Sequence, residues 1–133
     1  MRWEPSPTPR QALSPSRVRR AWRPPRNAFS AEARLEVGSR ELRPRFVGPG
    51  HTIDNIVVWI PDAKVLFGGC LVRASANTRL GYTKEADLEA WPKTIETLLR
   101  DYAEAAVVVP GHGDPGGREL LHHTLDLLRR PLQ

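Results

Sequence analysis

The sequence NIVVWIPDAKVLFGGC, residues 55–70, decides the predicted fold. Residues 55–60 form a run of mostly β-branched side chains, which is typical of a strand buried on both faces of a sheet. Residues 61–64 predict a turn, because Pro and Asp favour turn positions. Residues 65–67 predict a second apolar strand, which ends at Gly68, Gly69 and Cys70. This stretch therefore places two neighbouring strands in the interior of a sheet.

The segment before this stretch predicts a hairpin. Residues 33–37 and 41–47 alternate apolar and polar side chains around Gly38 and Ser39. Such alternation on either side of a Gly-containing turn is typical of two antiparallel strands near a sheet edge.

The segment after it predicts helix, strand and helix. Apolar residues recur at helical spacing over residues 88–102, with Asp87 as a candidate cap and Pro92 placing the regular helix mainly after itself. Residues 105–110 predict another short buried strand, and residues 117–130 predict a terminal helix with one apolar stripe. The predicted fold class is therefore α/β.

The N-terminal part of the chain has a different composition. The 133 residues carry a net charge of +5, but residues 1–46 hold 11 Arg, no Lys and 4 Glu, whereas residues 47–133 hold 9 basic and 11 acidic side chains. Residues 1–30 contain six Pro and seven Arg. Their few large apolar side chains cannot bury enough surface to offset the entropy lost when the chain becomes ordered. We therefore predict a disordered leader over residues 1–30 and a folded part over residues 31–133.

Several classes of protein and of leader are excluded or disfavoured. No apolar run reaches the roughly 18–20 residues of a membrane-spanning helix, so membrane insertion is excluded, and one Cys excludes an internal disulfide framework. Arginines interrupt every place where the apolar core of a secretory signal could lie, so no signal peptide is visible. The basic leader could bind nucleic acid, but a passive tail is favoured, and a new or shifted start of the coding sequence is a third reading.

Three candidate metal ligands each follow a predicted strand in a Gly-containing loop: His51, Cys70 and His112. Strand-end loops on one edge of a sheet converge, and glycines let the backbone approach an ion closely. Imidazole and thiolate together suit zinc. Taken singly, each residue is more often structural than a ligand. His122 and His123 lie in the terminal helix without a Gly loop, and we assign them structural roles.

These residues stand in motifs that resemble those of a known family. Residues 46–128 resemble the C-terminal half of the metallo-β-lactamases, in the subclass whose second zinc site includes a cysteine. The motifs are GPGHTIDN at 48–55, KVLFGGCLV at 64–72, EADLEAWP at 85–92 and VVVPGHG at 107–113. The Gly-His loops alone are shared with the wider superfamily, which includes thioesterases and nucleases, whereas the Gly-Gly-Cys element selects the lactamases.

The resemblance implies a fold and a site. The fold is an αββα sandwich of two similar halves, and the activity is hydrolysis of the β-lactam amide bond by two zinc ions, generally in the periplasm. By resemblance, His51 is the third histidine of the three-histidine zinc site, and Cys70 and His112 are two of the three ligands of the second site. Arg73 corresponds to the basic group that holds the substrate carboxylate. Tyr82 replaces the usual Asn, which puts one contact to the lactam carbonyl in doubt.

The family's His-x-His-x-Asp motif is absent, because no His precedes His51. This absence predicts impaired or no activity for the chain alone, as expected of a truncated form. A half-sandwich would also expose one apolar sheet face, which predicts self-association. Two alternatives stay open: another hydrolase of the superfamily, of the thioesterase type, and a non-enzymatic degenerate fragment with a nucleic-acid-binding tail.

Overall fold

The computed structural model describes residues 31–131, which form one mixed sheet with two helices. The predicted leader, residues 1–30, lies outside the described residues. In chain order the elements are β1 (Leu35–Val37), β2 (Arg40–Arg45), β3 (Val57–Ile60), β4 (Val65–Gly69), α1 (Trp91–Asp101), β5 (Val107–Pro110) and α2 (Glu119–Arg129). The α/β class and the predicted order of elements from the hairpin to the terminal helix are confirmed.

The five strands follow one another across the sheet in the order β1-β2-β3-β4-β5. The first three pairings are antiparallel, and β4 pairs with β5 in parallel. Two antiparallel steps restore a strand's direction, so β2, β4 and β5 run the same way. The loops that follow these three strands therefore leave the same edge of the sheet.

One face of the sheet is covered by both described helices. Val57, Leu66 and Val108 project from this face and are fully buried. They form one hydrophobic cluster with side chains of both helices: Trp91, Ile95, Leu98, Leu120, Leu121 and Leu125. Burying such large aliphatic and aromatic groups stabilises the fold by about 1.5–3 kcal/mol per side chain. The apolar periodicity of both helices is thus explained by this one core.

The opposite face is apolar but much more exposed. The pairing of Val58 with Phe67 and of Phe67 with Val109 sets these residues in one row on that face. Phe67 is 47% exposed and Val107 is 37% exposed. Both described helices pack on the other side of the sheet, so they cannot cover this row.

This asymmetry corrects two sequence-based predictions. Residues 55–60 were predicted as a strand buried on both faces, but β3 begins at Val57, and only Val57 is fully buried. The prediction of a buried strand at residues 105–110 is likewise wrong for Val107, which is exposed. In both strands the side chains on the helix-free face keep access to solvent, and a continuous apolar sequence does not reveal that.

Asp87, the candidate cap, holds the turn that leads into α1, but the N-cap residue of the helix is Ala90, which has no side-chain capping bond. The Asp87 carboxylate accepts a hydrogen bond from the Ala90 backbone N–H at 2.9 Å, and the Asp87 carbonyl accepts one from the Trp91 N–H at 2.9 Å. These bonds satisfy donors that a helix start leaves free. The helix begins at Trp91, so Pro92 lies in its first turn. Proline has no backbone N–H, but a backbone N–H in the first turn has no acceptor within the helix, so the helix loses no hydrogen bond. Among residues 31–131, no helix combines the length and apolarity needed to cross a bilayer.

Asp101 ties the end of α1 to β2 and gives a first prediction. Its carboxylate accepts a hydrogen bond from Arg100 and one from Arg45, each at 2.9 Å. The Arg100 bond first, and then the Arg45 bond, hold the pKa of Asp101 below its usual value of 3.8. A carboxyl whose pKa is lowered by folding stabilises the fold above its unfolded pKa, and that contribution is lost as the pH falls through the folded pKa.

Asp101→Asn should therefore lower the free energy of unfolding at pH 7 by about 0.5 kcal/mol, the scale of a partly exposed ion pair. The deficit should begin to shrink below about pH 4, where the carboxyl of the unfolded chain takes up a proton, and should vanish once the pH falls through the lowered pKa of the folded carboxyl. Urea unfolding between pH 3 and pH 7 measures both. Asp126→Asn, at an exposed position of α2, is the control. An equal deficit at every pH would contradict the assignment.

Candidate metal centre

The three predicted ligands lie at the edge of the sheet where β2, β4 and β5 end. Cys70 follows Gly69, the last residue of β4, and His112 is two residues beyond Pro110, the last residue of β5. His51 lies in the loop that leaves β2. The common direction of these strands thus brings the three loops to one edge, as the sequence predicted.

The loop after β5 lies directly against Cys70. A Cβ added at Gly111 would lie 2.7 Å from the Cys70 Sγ and 2.8 Å from the Cys70 backbone N. Side chains do not tolerate contacts this short, so the approach requires glycine. Cys70 is a half-buried free thiol, and His112 follows the contact by one residue.

His51 is half-buried and has an unpaired nitrogen. Its Nδ1 is buried and finds no hydrogen-bond partner among residues 31–131. Burial lowers the pKa of His51 from its usual value, and the positive charges of Arg73 and His112 lower it further, against the opposing charge of Glu85. Because the charged imidazole is disfavoured here, the neutral form, which is the one that binds metals, extends to lower pH than for a histidine in water.

Arg73 places a free cation beside His51. Its Nε is buried without a partner, and among the described residues its guanidinium forms no salt bridge. The guanidinium lies against Gly81, where an added Cβ would be 3.3 Å from Nη2. The backbone N–H of Arg73 donates to the buried Thr124 Oγ1 at 2.8 Å, which anchors the loop to α2. A half-buried cation whose Nε has no partner among the described residues is suited to an anionic ligand.

The remaining predicted residues are placed as follows. Tyr82 is 57% exposed. His123 forms a hydrogen bond of 2.8 Å with the Asn77 carbonyl, which agrees with a structural role, and His122 is exposed. Within residues 31–131, no three His, Cys, Asp or Glu side chains are grouped closely enough to hold one ion. The structure therefore brings the three loops together without forming a complete three-ligand site.

Trp91 and Thr124 contribute to the site in a way that their sequence pattern did not predict. Their spacing predicted only membership of apolar helical stripes, yet the Trp91 Nε1–H donates to the Leu71 carbonyl at 3.0 Å and the Thr124 Oγ1 accepts from the Arg73 N–H. One signal was available, because a polar atom on a buried stripe must find a partner. Which partner it finds depends on tertiary contacts.

Comparison with known proteins identifies the family. The family model described as the metallo-beta-lactamase superfamily matches residues 2–112. The chain belongs to the metallo-β-lactamase superfamily. Among curated proteins it is similar to metallo-beta-lactamase IND-1 of Chryseobacterium indologenes, with 48% identity over 94 residues, covering 71% of this chain and 39% of the relative.

Solved structures of metallo-β-lactamases share the fold. A metallo-beta-lactamase from Pontibacter korlensis is 42% identical with a TM-score of 0.79, covering 86% of this chain and 53% of that one. The FIM-1 enzyme of Pseudomonas aeruginosa, solved in a mono-zinc form, is 45% identical with a TM-score of 0.63, covering 65% and 38%. The chain thus spans about half or less of the length of these relatives, which agrees with the predicted C-terminal half of a metallo-β-lactamase sandwich.

The tight contact at Gly111 gives a second prediction. Gly111→Ala should lower the free energy of unfolding by about 1–3 kcal/mol, because the new methyl must displace the Cys70 backbone. Gly117→Ala is the matched control, since a Cβ there meets only the movable carboxylate end of Glu119. Urea unfolding measures both variants. Equal losses for the two variants would show that the contact with Cys70 is not tight.

Proposed function

We propose that this chain provides the C-terminal part of a zinc-dependent β-lactamase, which hydrolyses the β-lactam amide bond. The observation that carries the proposal is the convergence of the His51, Cys70 and His112 loops on one sheet edge, with the unpaired Arg73 beside His51. By resemblance, the complete enzyme acts in the periplasm and confers antibiotic resistance.

The donors on this edge fit zinc. Imidazole nitrogen and thiolate sulfur are the usual zinc ligands, and His51 Nδ1 is a buried polar atom without a partner among the described residues. We assign His51 to the three-histidine site, and Cys70 and His112 to the second site. Bound zinc lowers the pKa of a bound water and polarises a carbonyl. His51 and Cys70 are both half-buried, which holds these donors partly away from solvent water.

Arg73 is the proposed contact for the substrate carboxylate. A guanidinium can donate two parallel N–H groups to a carboxylate, and here no described carboxylate competes for them. The hydrogen bond that the Arg73 backbone N–H donates to Thr124 fixes the Arg73 backbone, and Gly81 leaves room for the guanidinium. Tyr82, which directly follows Gly81, is exposed and carries a phenol where the family usually has the amide of an Asn. We therefore expect substrate orientation to depend on Arg73 more than on Tyr82.

The ligand set of these 133 residues limits the activity proposed for the chain alone. The sequence has no His before His51, so the three-histidine site has one of its three ligands here. Described residues likewise form no group of three ligands. We propose that the chain alone hydrolyses β-lactams weakly or not at all, and that the missing ligands are needed for a competent centre.

Metal binding gives a third prediction. With cobalt as a spectroscopic substitute for zinc, Cys70→Ser should abolish the thiolate-to-metal absorption, and His112→Ala should weaken binding at least roughly tenfold, since even an outer-shell partner is worth about 10–100-fold. His122→Ala, at an exposed position of α2, should leave both unchanged. Cobalt binding that is insensitive to Cys70 and His112 would contradict the proposed second site.

Hydrolysis distinguishes the proposed function from the thioesterase alternative. Zinc-supplemented chain is assayed against a chromogenic cephalosporin and against a chromogenic thioester. Weak lactam hydrolysis that is lost in Cys70→Ser supports the proposal. Thioester hydrolysis without lactam hydrolysis would favour the alternative, and robust lactam hydrolysis by a zinc-loaded monomer would overturn the proposal that the chain alone is impaired.

We also propose that the helix-free sheet face associates with a second copy of the chain. Its rows are apolar across neighbouring strands, with Phe67 and Val107 exposed. A face that carries no charge in these rows can pack on its own copy about a two-fold axis. Nucleic-acid binding is not part of the proposal, because the basic leader that would carry it lies outside the described residues.

Self-association gives a fourth prediction. Phe67→Lys should shift the chain from dimer or larger species to monomer in sedimentation velocity at micromolar concentration, because a charge would be buried at the contact. Ile53→Lys is the matched control, since Ile53 is 75% exposed in a loop outside the sheet. A monomeric wild-type chain, or equal effects of the two variants, would contradict the proposal.

A further inference from the structure

We propose that Trp91 is a positioning residue that fixes the His51 loop relative to the Cys70 loop. The inference rests on the proposed metal centre and goes beyond it, since Trp91 is not itself a ligand. The Trp91 side chain contacts both the His51 loop and the Cys70 loop. We define the His51 loop as residues 48–52 and the Cys70 loop as residues 70–73.

Trp91 is bonded to the Cys70 loop. Its side chain is completely buried, and Nε1–H donates to the Leu71 carbonyl at 3.0 Å. In the described part of the chain no other group donates to this oxygen. Leu71 directly follows Cys70, so the bond holds the backbone next to the thiol.

The same ring also bounds the His51 loop. The Trp91 and His51 rings meet edge to face, with centroids 5.7 Å apart at 70°. A Cβ added at Gly50 would lie 3.0 Å from Trp91 and would clash with Leu71 Cδ2. Gly50 is therefore packed between the indole and the residue that follows Cys70.

The backbone before Trp91 strengthens this arrangement. The Asp87 N–H donates to the Gly50 carbonyl at 2.9 Å, and the Asp87 carbonyl accepts from the Trp91 N–H at 2.9 Å. Thr94, one turn further along α1, donates to the Pro49 carbonyl at 2.6 Å. The hydrogen bonds from Thr94 and Asp87 go to the His51 loop, whereas the Trp91 ring contacts that loop and its Nε1–H bonds to the Cys70 loop.

A side chain that contacts both loops is needed to fix their relative position, because the strands that carry the loops are not neighbours in the sheet. β3 lies between β2 and β4, so two interstrand spacings of about 4.8 Å separate the strand ends. No ladder of hydrogen bonds sets the relative position of the two loops. Metal ligands must be placed to within about 0.2–0.5 Å, which flexible loops alone do not ensure. A rigid, fully buried indole with a bond at one end supplies this constraint.

Trp91→Phe tests the inference in the metal-free full chain, because it keeps an aromatic ring and removes the N–H. The readout is hydrogen exchange of two loop amides, measured by NMR: Gly50, which donates to the Thr52 carbonyl, and Val72, which donates to the Gly69 carbonyl. Both should lose protection roughly tenfold, since the Leu71 carbonyl is left buried and unbonded. Helix α2 should keep its protection.

Two control variants separate positioning from general stability. Thr94→Val removes the bond to Pro49 and should raise exchange at Gly50 but not at Val72. Trp59→Phe makes the same chemical change beside Tyr102, where the ring centroids are 5.3 Å apart, and should affect neither loop. A uniform loss of protection through the chain in Trp91→Phe, or no loss in either loop, would overturn the inference.

A cobalt titration of the same variants separates this inference from the proposed function. If the wild-type chain binds cobalt through Cys70, Trp91→Phe should bind it roughly tenfold more weakly, with a changed thiolate absorption. Identical binding and spectrum in Trp91→Phe would overturn the inference and leave the metal centre standing. A wild-type chain that binds no cobalt would show that Cys70 and His112 do not hold a metal without the missing ligands, while hydrogen exchange still decides whether Trp91 couples the loops.

Should Trp91→Phe fail to fold, Gly50→Ala perturbs the same contact from the other side. Its methyl would press on both Trp91 and Leu71, so both loop amides should again lose protection. Loss at Gly50 alone would show that the indole does not connect the loops.

Discussion

Two adjacent parallel strands can be joined only by a chain that returns across one face of the sheet. Between β4 and β5 that chain contains α1, whose Trp91, Ile95 and Leu98 are fully buried on the sheet. This burial fixes the direction of β5, and with it the edge at which β4 and β5 both end. Two antiparallel steps bring β2 to the same edge. The position of the candidate site is thus a consequence of how one helix is buried.

The boundary of the core also sets the chemistry of the site. His51 lies where the packed cluster gives way to loops, and its pKa is lowered chiefly by burial, with Arg73 adding to the effect. The neutral imidazole therefore persists to lower pH than in water, and the neutral form is the one that binds metals. The same packing leaves Arg73 with a buried Nε and no acidic partner among residues 31–131. Partial burial thus gives His51 a neutral imidazole suited to a metal and leaves the neighbouring Arg73 guanidinium available to an anion.

The sequence allowed prediction of those features that depend on local pattern or on chain direction. The hairpin around Gly38, the apolar stripes of both helices and the strand-end positions of Cys70 and His112 are of this kind. The exposure of Phe67 could not be predicted, because its apolar strand sequence does not tell which face a helix covers. The role of Trp91 at the site was missed for a related reason, since its hydrogen-bond partner is 20 residues away in the sequence.

The glycines of the His51 and His112 loops are required for backbone conformation and for close packing. The motifs therefore depend on these glycines as well as on the candidate metal ligands. Gly48 and Gly113 have φ angles of +144° and +103°, a backbone conformation that favours glycine. Gly50 and Gly111 are needed for space, since a Cβ at either would press on residues 70 or 71. Gly48 and Gly113 are closely packed as well, since a Cβ at Gly48 would lie 2.6 Å from the Thr94 Oγ1 and a Cβ at Gly113 would lie 2.6 Å from the Ala74 Cβ. Because these four glycines shape the loops through backbone conformation and packing, the loops at this edge do not need a bound ion to hold their shape.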